Sequence, residues 1–503
     1  MIDHGVQLNH PDLNGRISGD NPIASQYNHG TRVAGIIGAI WDNNIGIKGV
    51  NKYSPIISSN KAERPFSEIA EALVNLANQD AKVINHSYGT VYQGGEHNAL
   101  TYRLTLAYLT QLGIINVGIT HNNGQQFSSQ PSSFKGVIAV GGTQNNDAFY
   151  SNSNYGHHVD VVAPAGFGSN PTNQNQNIYS TSTNSSYSWD VGTSFAAPQV
   201  TGLASLMQGY YKEYYNNYID VDDMEGLIRN SADKVRQDLY TYTDGFNIRM
   251  GYGRINMRKA LDFIRSPYVM TKSSIITGGG SSTWIGNNVC FITGANGLPN
   301  YVYSIKKYAV TKTVNYSLNP NVTEKYFWGN GKGVTGWYHP DPDVIAGNLG
   351  HCEVVPGSVT SNTITLRTYV YEVWTLAPNG GQGDYKGWFP STPSNTTFKY
   401  TMLYKDPNAN ELNFGEESMI INNFPNPFNP STKIKYSLKN ESNIKIVVYD
   451  IMGREIKTLV NEYKLSGNYS VDFDGSNLSS GMYFYKLVSN DNTLIVKKML
   501  LIK

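Results

Sequence analysis

The sequence has few charged residues and almost no excess charge of either sign. Asp, Glu, Lys and Arg make up 15% of its 503 residues, and the formal net charge is +1. A chain that binds nucleic acid or an anionic membrane through charge carries a clear excess of basic residues. The balance therefore gives no reason to expect nucleic acid, an anionic membrane or an acidic partner.

Long apolar runs and cysteines are also scarce. No apolar run is long enough to span a bilayer, and Met1 is followed by a polar stretch, Asp3-His4-Gly5, where a signal peptide would be apolar. Only two cysteines occur, and the sequence leaves open whether Cys290 and Cys352 form a disulfide or are unrelated thiols. In contrast, the 36 Tyr and 49 Gly residues suit a β-rich extracellular protein with many turns.

Residues 1–265 alternate between short apolar runs and helical patterns. The runs are rich in Val and Ile and are bounded by Gly, Asn or Ser, as buried parallel strands are; they are Lys82–Ile84, Gly113–Ile119, Gly136–Val140 and Val159–Ala163. The spacing of Val33, Ile36, Ile37 and Ile40 predicts one apolar helix face. Such alternation predicts a doubly wound, mainly parallel α/β domain.

The rest of the chain lacks a helical period. Residues 266–415 alternate apolar and polar positions between Gly, Asn and Pro clusters, which predicts an antiparallel β-sandwich of unknown role. Residues 416–503 begin with a proline-rich entry and predict a small immunoglobulin-like β module. The length itself suggests about three domains.

Four residues in the first segment supply the groups that serine-based peptide hydrolysis needs. Ser194 lies in Gly192-Thr193-Ser194-Phe195-Ala196-Ala197-Pro198, where small residues allow a tight turn into a helix; an ordinary helix-capping serine is the alternative. His29 precedes an apolar helix face, although a lone histidine is more often structural. Asp3 is placed as at the C-terminal end of a strand, although Asp is also common in turns. Asn122 directly follows an apolar strand pattern, and for this residue taken alone an ordinary turn Asn is the favoured alternative.

Taken together, these segments resemble the subtilase family over residues 1 to about 265. The resemblance rests on Asp3-His4-Gly5-Val6, on His29-Gly30-Thr31-Arg32-Val33-Ala34-Gly35 and on the serine segment, in that chain order. It implies a serine endopeptidase with Asp3, His29 and Ser194 as its catalytic triad and protein or peptide substrates. It also implies that Asn122 and Thr193 donate hydrogen bonds to the oxyanion that forms during the reaction. Ser87, Tyr88 and Gly89 would bind the substrate as an added strand.

The resemblance further suggests a structural calcium ion and no catalytic cofactor. The loop from Trp41 to Ile47, with Asn43, looks like the family's calcium loop, and Asp12 matches its partner carboxylate. Oxygen ligands of this kind suit calcium. An Asn-Gly surface turn is the alternative.

Three departures from the family pattern stand out. Thr120 and His121 replace the small residues that usually precede the oxyanion Asn, and could narrow or polarise the specificity pocket. His4 follows the catalytic Asp, where Ser, Thr or Asp is commoner. The chain also starts two residues before Asp3, so we expect a truncated first segment, with Asp3 on a frayed terminus and sheet edges left unpaired.

The C-terminal module resembles the sorting domain of the bacterial type IX secretion system. The similarity covers about 80 residues and includes Asn426-Pro427-Phe428-Asn429-Pro430 and the terminal Lys497-Lys498-Met499-Leu500-Leu501. It implies that the type IX machinery exports the chain to the surface or exterior of a Gram-negative cell.

A different class of function competes with catalysis. The subtilase fold could serve as a silent scaffold for a surface binding or adhesion protein, whose middle segment binds glycan or protein through exposed Trp328, Trp337 and Trp388. A complete triad argues against this hypothesis, because a binding scaffold does not need all three groups.

Overall fold

The structure is a computed structural model with two compact units, Met1–Asn408 and Ala409–Lys503, which are described separately. It describes residues 1–20, 28–91, 97–126, 129–168, 174–292, 301–329, 352–376, 382–389, 397–407, 421–438, 441–450, 453–489 and 493–502, except positions 63, 135, 244, 266, 279, 356, 425, 427 and 466. In this part of the chain, no helix is both long enough and apolar enough to cross a membrane.

The described part of the first 265 residues contains eleven strands. They are β1 (Ile2–Asp3), β2 (Ile17–Gly19), β3 (Ile56–Asn60), β4 (Val83–His86), β5 (Thr90–Val91), β6 (Ile115–Ile119), β7 (Ser129–Gln130), β8 (Val137–Thr143), β9 (Val161–Pro164), β10 (Ile178–Ser182) and β11 (Ser186–Asp190). Six helices accompany them: α1 (His29–Gly38), α2 (Phe66–Asn78), α3 (His97–Gln111), α4 (Thr193–Tyr215), α5 (Val221–Ser231) and α6 (Met257–Phe263).

Seven of the strands form one parallel sheet in the order β2-β3-β1-β4-β6-β8-β9. Apolar residues of α2 and α3 cover one face of the sheet, where they share a core with Ile2 of β1 and Ile84 of β4. The other face packs against α4, where Ile115, Val117 and Ile119 meet its small residues. Helices on both faces of a parallel sheet confirm the predicted doubly wound α/β fold.

The expectation of a frayed N-terminus with unpaired sheet edges is wrong. Although β1 is only two residues long, it lies in the middle of the sheet and pairs with both β3 and β4. Ile2 is opposite Ser59 on one side and His86 on the other, and the side chain of Asp3 is fully buried. Two parallel neighbours therefore hold Asp3 in place.

Among the residues that the structure describes between positions 266 and 408, ten strands follow. They are β12 (Tyr268–Lys272), β13 (Ile276–Thr277), β14 (Ser281–Ile292), β15 (Tyr301–Asn315), β16 (Lys325–Gly329), β17 (Glu353–Val354), β18 (Thr363–Leu376), β19 (Gln382–Phe389), β20 (Thr397–Phe398) and β21 (Tyr400–Lys405). Their pairings are antiparallel, in sheets β12-β21-β16, β13-β20 and a larger sheet built on β14, β15, β17, β18 and β19. Antiparallel strands are as predicted; the sandwich arrangement stays a prediction.

Trp328 was expected to be exposed, and it is buried. It lies on β16, is 8% exposed and joins the apolar core that α4, α5 and α6 share with the parallel sheet. Its indole N–H donates to Asp223 Oδ1 on α5 (2.9 Å), and Thr401 Oγ1 on β21 donates to the same oxygen (2.8 Å). Gly226 makes the contact possible, since a Cβ there would lie 2.5 Å from the indole ring.

The middle segment therefore shares a core with the first segment. The division at residues 265 and 415 stays a prediction, because the described residues form one compact unit up to Asn408. The side chains of Trp337, Trp388 and Cys290 lie outside the described residues, so the predictions that involve them also stay open. Cys352 is buried in the core of the middle segment.

In the second unit, the described residues form seven strands. They are β22 (Ile421–Phe424), β23 (Ser431–Leu438), β24 (Ser442–Tyr449), β25 (Glu455–Lys464), β26 (Gly467–Asp474), β27 (Gly481–Ser489) and β28 (Thr493–Leu501). They form two antiparallel sheets, β22-β23-β26 and β25-β24-β27-β28. Alternate apolar residues of both sheets, such as Ile434, Phe473, Ile446 and Leu487, share one core. An all-β module is therefore present, as the alternating pattern predicted.

Candidate active site

The candidate site lies at the carboxyl edge of the parallel sheet. Asp3 is the last residue of β1, Ser87 follows β4, and Asn122 follows β6 by three residues. Because β1, β4 and β6 are neighbouring parallel strands, their carboxyl ends meet at one edge, where open α/β sheets place their ligands. The sheet thus brings together side chains that are far apart in the sequence.

His29 is the first residue of α1 and contacts Asp3 directly. Its Nδ1 lies 2.7 Å from Asp3 Oδ1. This close approach requires glycine at position 30, since a Cβ there would lie 2.1 Å from the Gly5 carbonyl oxygen and 3.2 Å from Asp3 Oδ1.

Asp3 carries its negative charge inside the protein. Burial alone would raise the pKa of its carboxyl group, but the facing charge and hydrogen bond of His29, with hydrogen bonds from His4, lower that pKa to about 2. The backbone N–H of His4 donates to Oδ1 at 2.8 Å. An ionised acceptor at Nδ1 favours the tautomer that carries the proton there, which leaves Nε2 as a proton acceptor.

Ser194 is the second residue of α4, the 23-residue helix that packs across the sheet. The backbone N–H groups in the first turn of a helix have no partner within the helix, so this end favours negative charge. Pro198 lies beyond this first turn, inside the helix. Its missing N–H would have bonded to the carbonyl of Ser194, four residues before it.

Ser87 supplies the partner that Pro198 cannot. Its hydroxyl donates to the Ser194 carbonyl (2.9 Å), and the Ser194 hydroxyl in turn lies 3.4 Å from the Ser87 carbonyl. Next in α4, the Phe195 ring packs on the His29 ring with centroids 5.6 Å apart. These contacts bring the start of α4, the start of α1 and the end of β4 together.

Asn122 contacts the residue before Ser194. Its Oδ1 accepts hydrogen bonds from the Thr193 backbone N–H (2.9 Å) and hydroxyl (3.0 Å). Because the amide oxygen is held in this way, the Nδ2 group is the end that can donate to a third partner. The Thr193 hydroxyl therefore orients Asn122. A direct role of the Thr193 hydroxyl at the oxyanion stays a prediction.

The predicted substrate segment, Ser87 to Gly89, leaves the sheet beyond β4. The Gly89 carbonyl accepts a hydrogen bond from His121 Nε2 (3.1 Å). The Tyr88 hydroxyl contacts that of Tyr102 (2.7 Å) and lies 3.0 Å from the buried His86 ring. Burial lowers the pKa of His86 to about 4, so this ring is neutral at the base of the segment.

The predicted calcium residues contact each other. Asn43 Nδ2 donates to Asp12 Oδ1 (2.7 Å) and the Ile47 N–H to Oδ2 (2.9 Å). Burial, with the charge and hydrogen bonding of Asp12, raises the pKa of Tyr187 to about 12. Calcium needs six to eight oxygen ligands, and here N–H donors face both carboxylate oxygens. Both carboxylate oxygens of Asp12 therefore already have partners, and the calcium site stays a prediction.

Sequence reasoning missed two features of the site. It did not foresee the hydrogen bond from the Ser87 side chain to the Ser194 carbonyl, or the packing of Phe195 on His29. The first left a signal, since a proline four residues after Ser194 frees that carbonyl for another donor. The second left none, because packing between two helices depends on their tertiary arrangement.

Comparison with known sequences agrees with this geometry. The sequence model of the subtilase family matches residues 1–253, half of the chain. The chain belongs to the subtilase family. Residues 422–503 match a second model, the secretion system C-terminal sorting domain. This match confirms the resemblance that the sequence showed at its C-terminal end.

The curated relatives of this subtilase include three bacterial proteases. The thermophilic serine proteinase of Bacillus sp. (strain AK1) is 34% identical over 274 residues, which are 52% of this chain and 61% of that protein. Thermitase of Thermoactinomyces vulgaris is 32% identical over 275 residues, which are 52% of this chain and 88% of that protein. The thermostable alkaline protease of Halalkalibacterium halodurans (strain ATCC BAA-125 / DSM 18197 / FERM 7344 / JCM 9153 / C-125) is 30% identical, over 44% of this chain and 58% of that protein.

Proposed function

We propose that this subtilase is a secreted serine endopeptidase in which Ser194 is the nucleophile, His29 the general base and Asp3 the residue that orients His29. One observation carries the proposal. A fully buried, ionised carboxylate lies 2.7 Å from His29 Nδ1, and the same ring packs on the residue after Ser194. A buried charge is costly, so its retention beside an imidazole favours a catalytic role.

The first half of the reaction forms an acyl-enzyme. The Ser194 hydroxyl attacks the carbonyl carbon of the substrate peptide, and His29 Nε2 accepts its proton. The carboxylate of Asp3 stabilises the imidazolium that results, because it accepts the hydrogen bond from Nδ1. His29 then gives the proton to the leaving amine as the peptide C–N bond breaks, and the acyl group stays on Ser194.

Water completes the cycle by the same steps in reverse. His29 takes a proton from the water that attacks the acyl carbon, and returns it to Ser194 when the acid product leaves. In both halves the oxyanion accepts hydrogen bonds from Asn122 Nδ2 and the Ser194 backbone N–H. The Thr193 contacts hold Asn122 in place, so this donor is positioned before substrate arrives.

The segment Ser87 to Gly89 is the binding surface for an extended peptide. It continues β4 past the edge of the sheet, where its backbone groups can pair with a substrate strand. The C-terminal sorting domain directs the chain through type IX secretion to the cell surface or the exterior. Protein or peptide substrates outside the cell follow from these two features.

Fluorophosphonate labelling of the full-length chain tests the proposal. Such probes phosphonylate a serine only when a base activates it. We expect one label per chain, complete loss in Ser194→Ala and in His29→Ala, and retention in Ser205→Ala, a matched change on the same helix α4. An unlabelled wild-type chain, or label kept in Ser194→Ala, would contradict the proposal and favour a binding protein on a silent scaffold.

A further inference from the structure

Asp3, His4 and His29 form a cluster of metal-binding side chains at the candidate site. One ligand atom from each residue can be chosen so that all three lie within 4.8 Å of one another. The three come from adjacent structural elements, the end of β1 and the start of α1. We propose that this cluster binds a transition-metal ion of the Zn²⁺ type, which inhibits the peptidase reversibly.

The spacing suits a tetrahedral ion. Zn²⁺ bonds to imidazole nitrogen and carboxylate oxygen at about 2.1 Å, which places neighbouring ligand atoms roughly 3.4 Å apart. His4 Nδ1 is already 3.4 Å from Asp3 Oδ1, and His29 Nδ1 is 2.7 Å from the same oxygen. The widest separation, within 4.8 Å, needs to close by about 1.4 Å at most. Small rotations of the two rings supply such a change.

The charge and burial of the cluster also favour a cation. Asp3 is fully buried, and its Oδ2 accepts no hydrogen bond from any residue that the structure describes. The side chains of His4 and His29 are 23% and 28% exposed, so the cluster lies near the surface, while both ring nitrogens of His4 are themselves buried. Three protein ligands leave the fourth position of a zinc ion for a water or another ligand.

Bound metal is incompatible with the proposed reaction, and this part of the inference rests on the proposed function. When Zn²⁺ occupies His29 Nδ1, the neutral ring carries its proton on Nε2 and cannot accept one from Ser194. The ion also takes the Asp3 oxygen that orients His29. Binding therefore removes the general base without any change to Ser194.

His4 makes this site a property of this particular chain. At the position after the catalytic Asp, the family more often has Ser, Thr or Asp. His4 adds a second imidazole beside the pair that Asp3 and His29 form, and its ring lies nearly perpendicular to that of His29 with centroids 5.7 Å apart. Two imidazoles and a carboxylate are a common zinc ligand set, whereas one imidazole and a carboxylate bind weakly.

The direct test measures Zn²⁺ binding by titration calorimetry. The full-length Ser194→Ala chain is used after treatment with chelator, because it cannot digest itself. We expect one Zn²⁺ to bind per chain at this cluster. The affinity should be at least about tenfold weaker in His4→Ser. It should be unchanged in the control His157→Ser, which replaces an exposed histidine that stacks on Phe246. Matching metal-free melting curves show that the variants fold.

Two results would overturn the inference: no binding by the parent chain, or equal affinity in His4→Ser. The activity measurement separates this inference from the proposed function. In the chain with Ser194, Zn²⁺ should abolish peptidase activity, a chelator should restore it, and the half-inhibiting concentration should rise at least about tenfold in His4→Ser. Metal binding by a chain without peptidase activity would support the site and refute the function. Peptidase activity in a chain that binds no Zn²⁺ would support the proposed function and refute the metal site.

Discussion

Replacing Trp328 with alanine should destabilise the parallel-sheet core, although position 328 lies outside that part of the sequence. The indole fills the space above Gly226 and is part of the core that α5 shares with the sheet. Removal leaves a cavity of nearly the whole ring system and takes one donor from the buried Asp223 carboxylate. The change therefore acts on the first segment from the middle one.

The expected loss is a large part of the total stability. Truncation of a buried Trp to Ala typically costs about 3–5 kcal/mol, against about 5–15 kcal/mol for a whole domain. Trp328→Phe keeps most of the ring volume but leaves Asp223 with one donor fewer, so we expect a loss of about 1–3 kcal/mol. Thr401 and Lys272 remain as partners of that carboxylate, which limits the effect.

Hydrogen exchange with urea unfolding distinguishes one shared core from two independent domains. In Trp328→Ala on the Ser194→Ala background, amides of α5 should exchange faster together with those of β16. Val359→Ala, at an exposed position of the middle segment, is the control and should change neither. If exchange rises only in the strands after residue 266 while α5 keeps its protection, the shared-core interpretation is wrong.

Three further predictions concern the site and its surroundings. Asn122→Ala should lower kcat about 100- to 1000-fold with an unchanged melting temperature; a loss under tenfold would remove Asn122 from the oxyanion. Burial lowers the pKa of His86 and of His158 to about 4, so between pH 6.5 and 4 the unfolded chain binds more protons than the folded chain. The free energy of unfolding should therefore fall as the pH falls through this range, by up to about 1.4 kcal/mol per pH unit for each histidine. A urea midpoint that does not change over this range would contradict the prediction. Melting temperatures in calcium and in chelator should agree, because Asp12 already has hydrogen-bond donors; a rise in calcium that Asp12→Asn abolishes would instead support the calcium prediction.

The sequence predicted the parallel sheet well, because its strands are buried on both faces. Runs such as Ile115–Ile119 are rich in Val and Ile, are buried along their whole length and carry their own signal. The strand β1 carries none, since two residues show no period, and its place in the sheet depends on β3 and β4. For the same reason, the expectation of a frayed Asp3 failed.

The residues of the site were predictable in kind but not in their contacts. Asp3, His29 and Ser194 lie in short segments that carry the family resemblance, so one sequence sufficed to choose them. The burial of Trp328 was not predictable, because its partner Asp223 is 105 positions away and nothing local marks the pair. Contacts of this kind follow from tertiary packing, which leaves no pattern near either residue.

The proline in α4 affects how this helix is joined to the predicted substrate segment. Since Pro198 offers no N–H, the Ser194 carbonyl accepts a hydrogen bond from the Ser87 hydroxyl instead of from its own helix. The start of α4, which carries the proposed nucleophile, and the end of β4, which leads into the proposed peptide-binding segment, are thereby linked by hydrogen bonds in both directions. We expect a small shift of either element to move the other with it, which would keep the proposed nucleophile aligned with a peptide bound beyond β4.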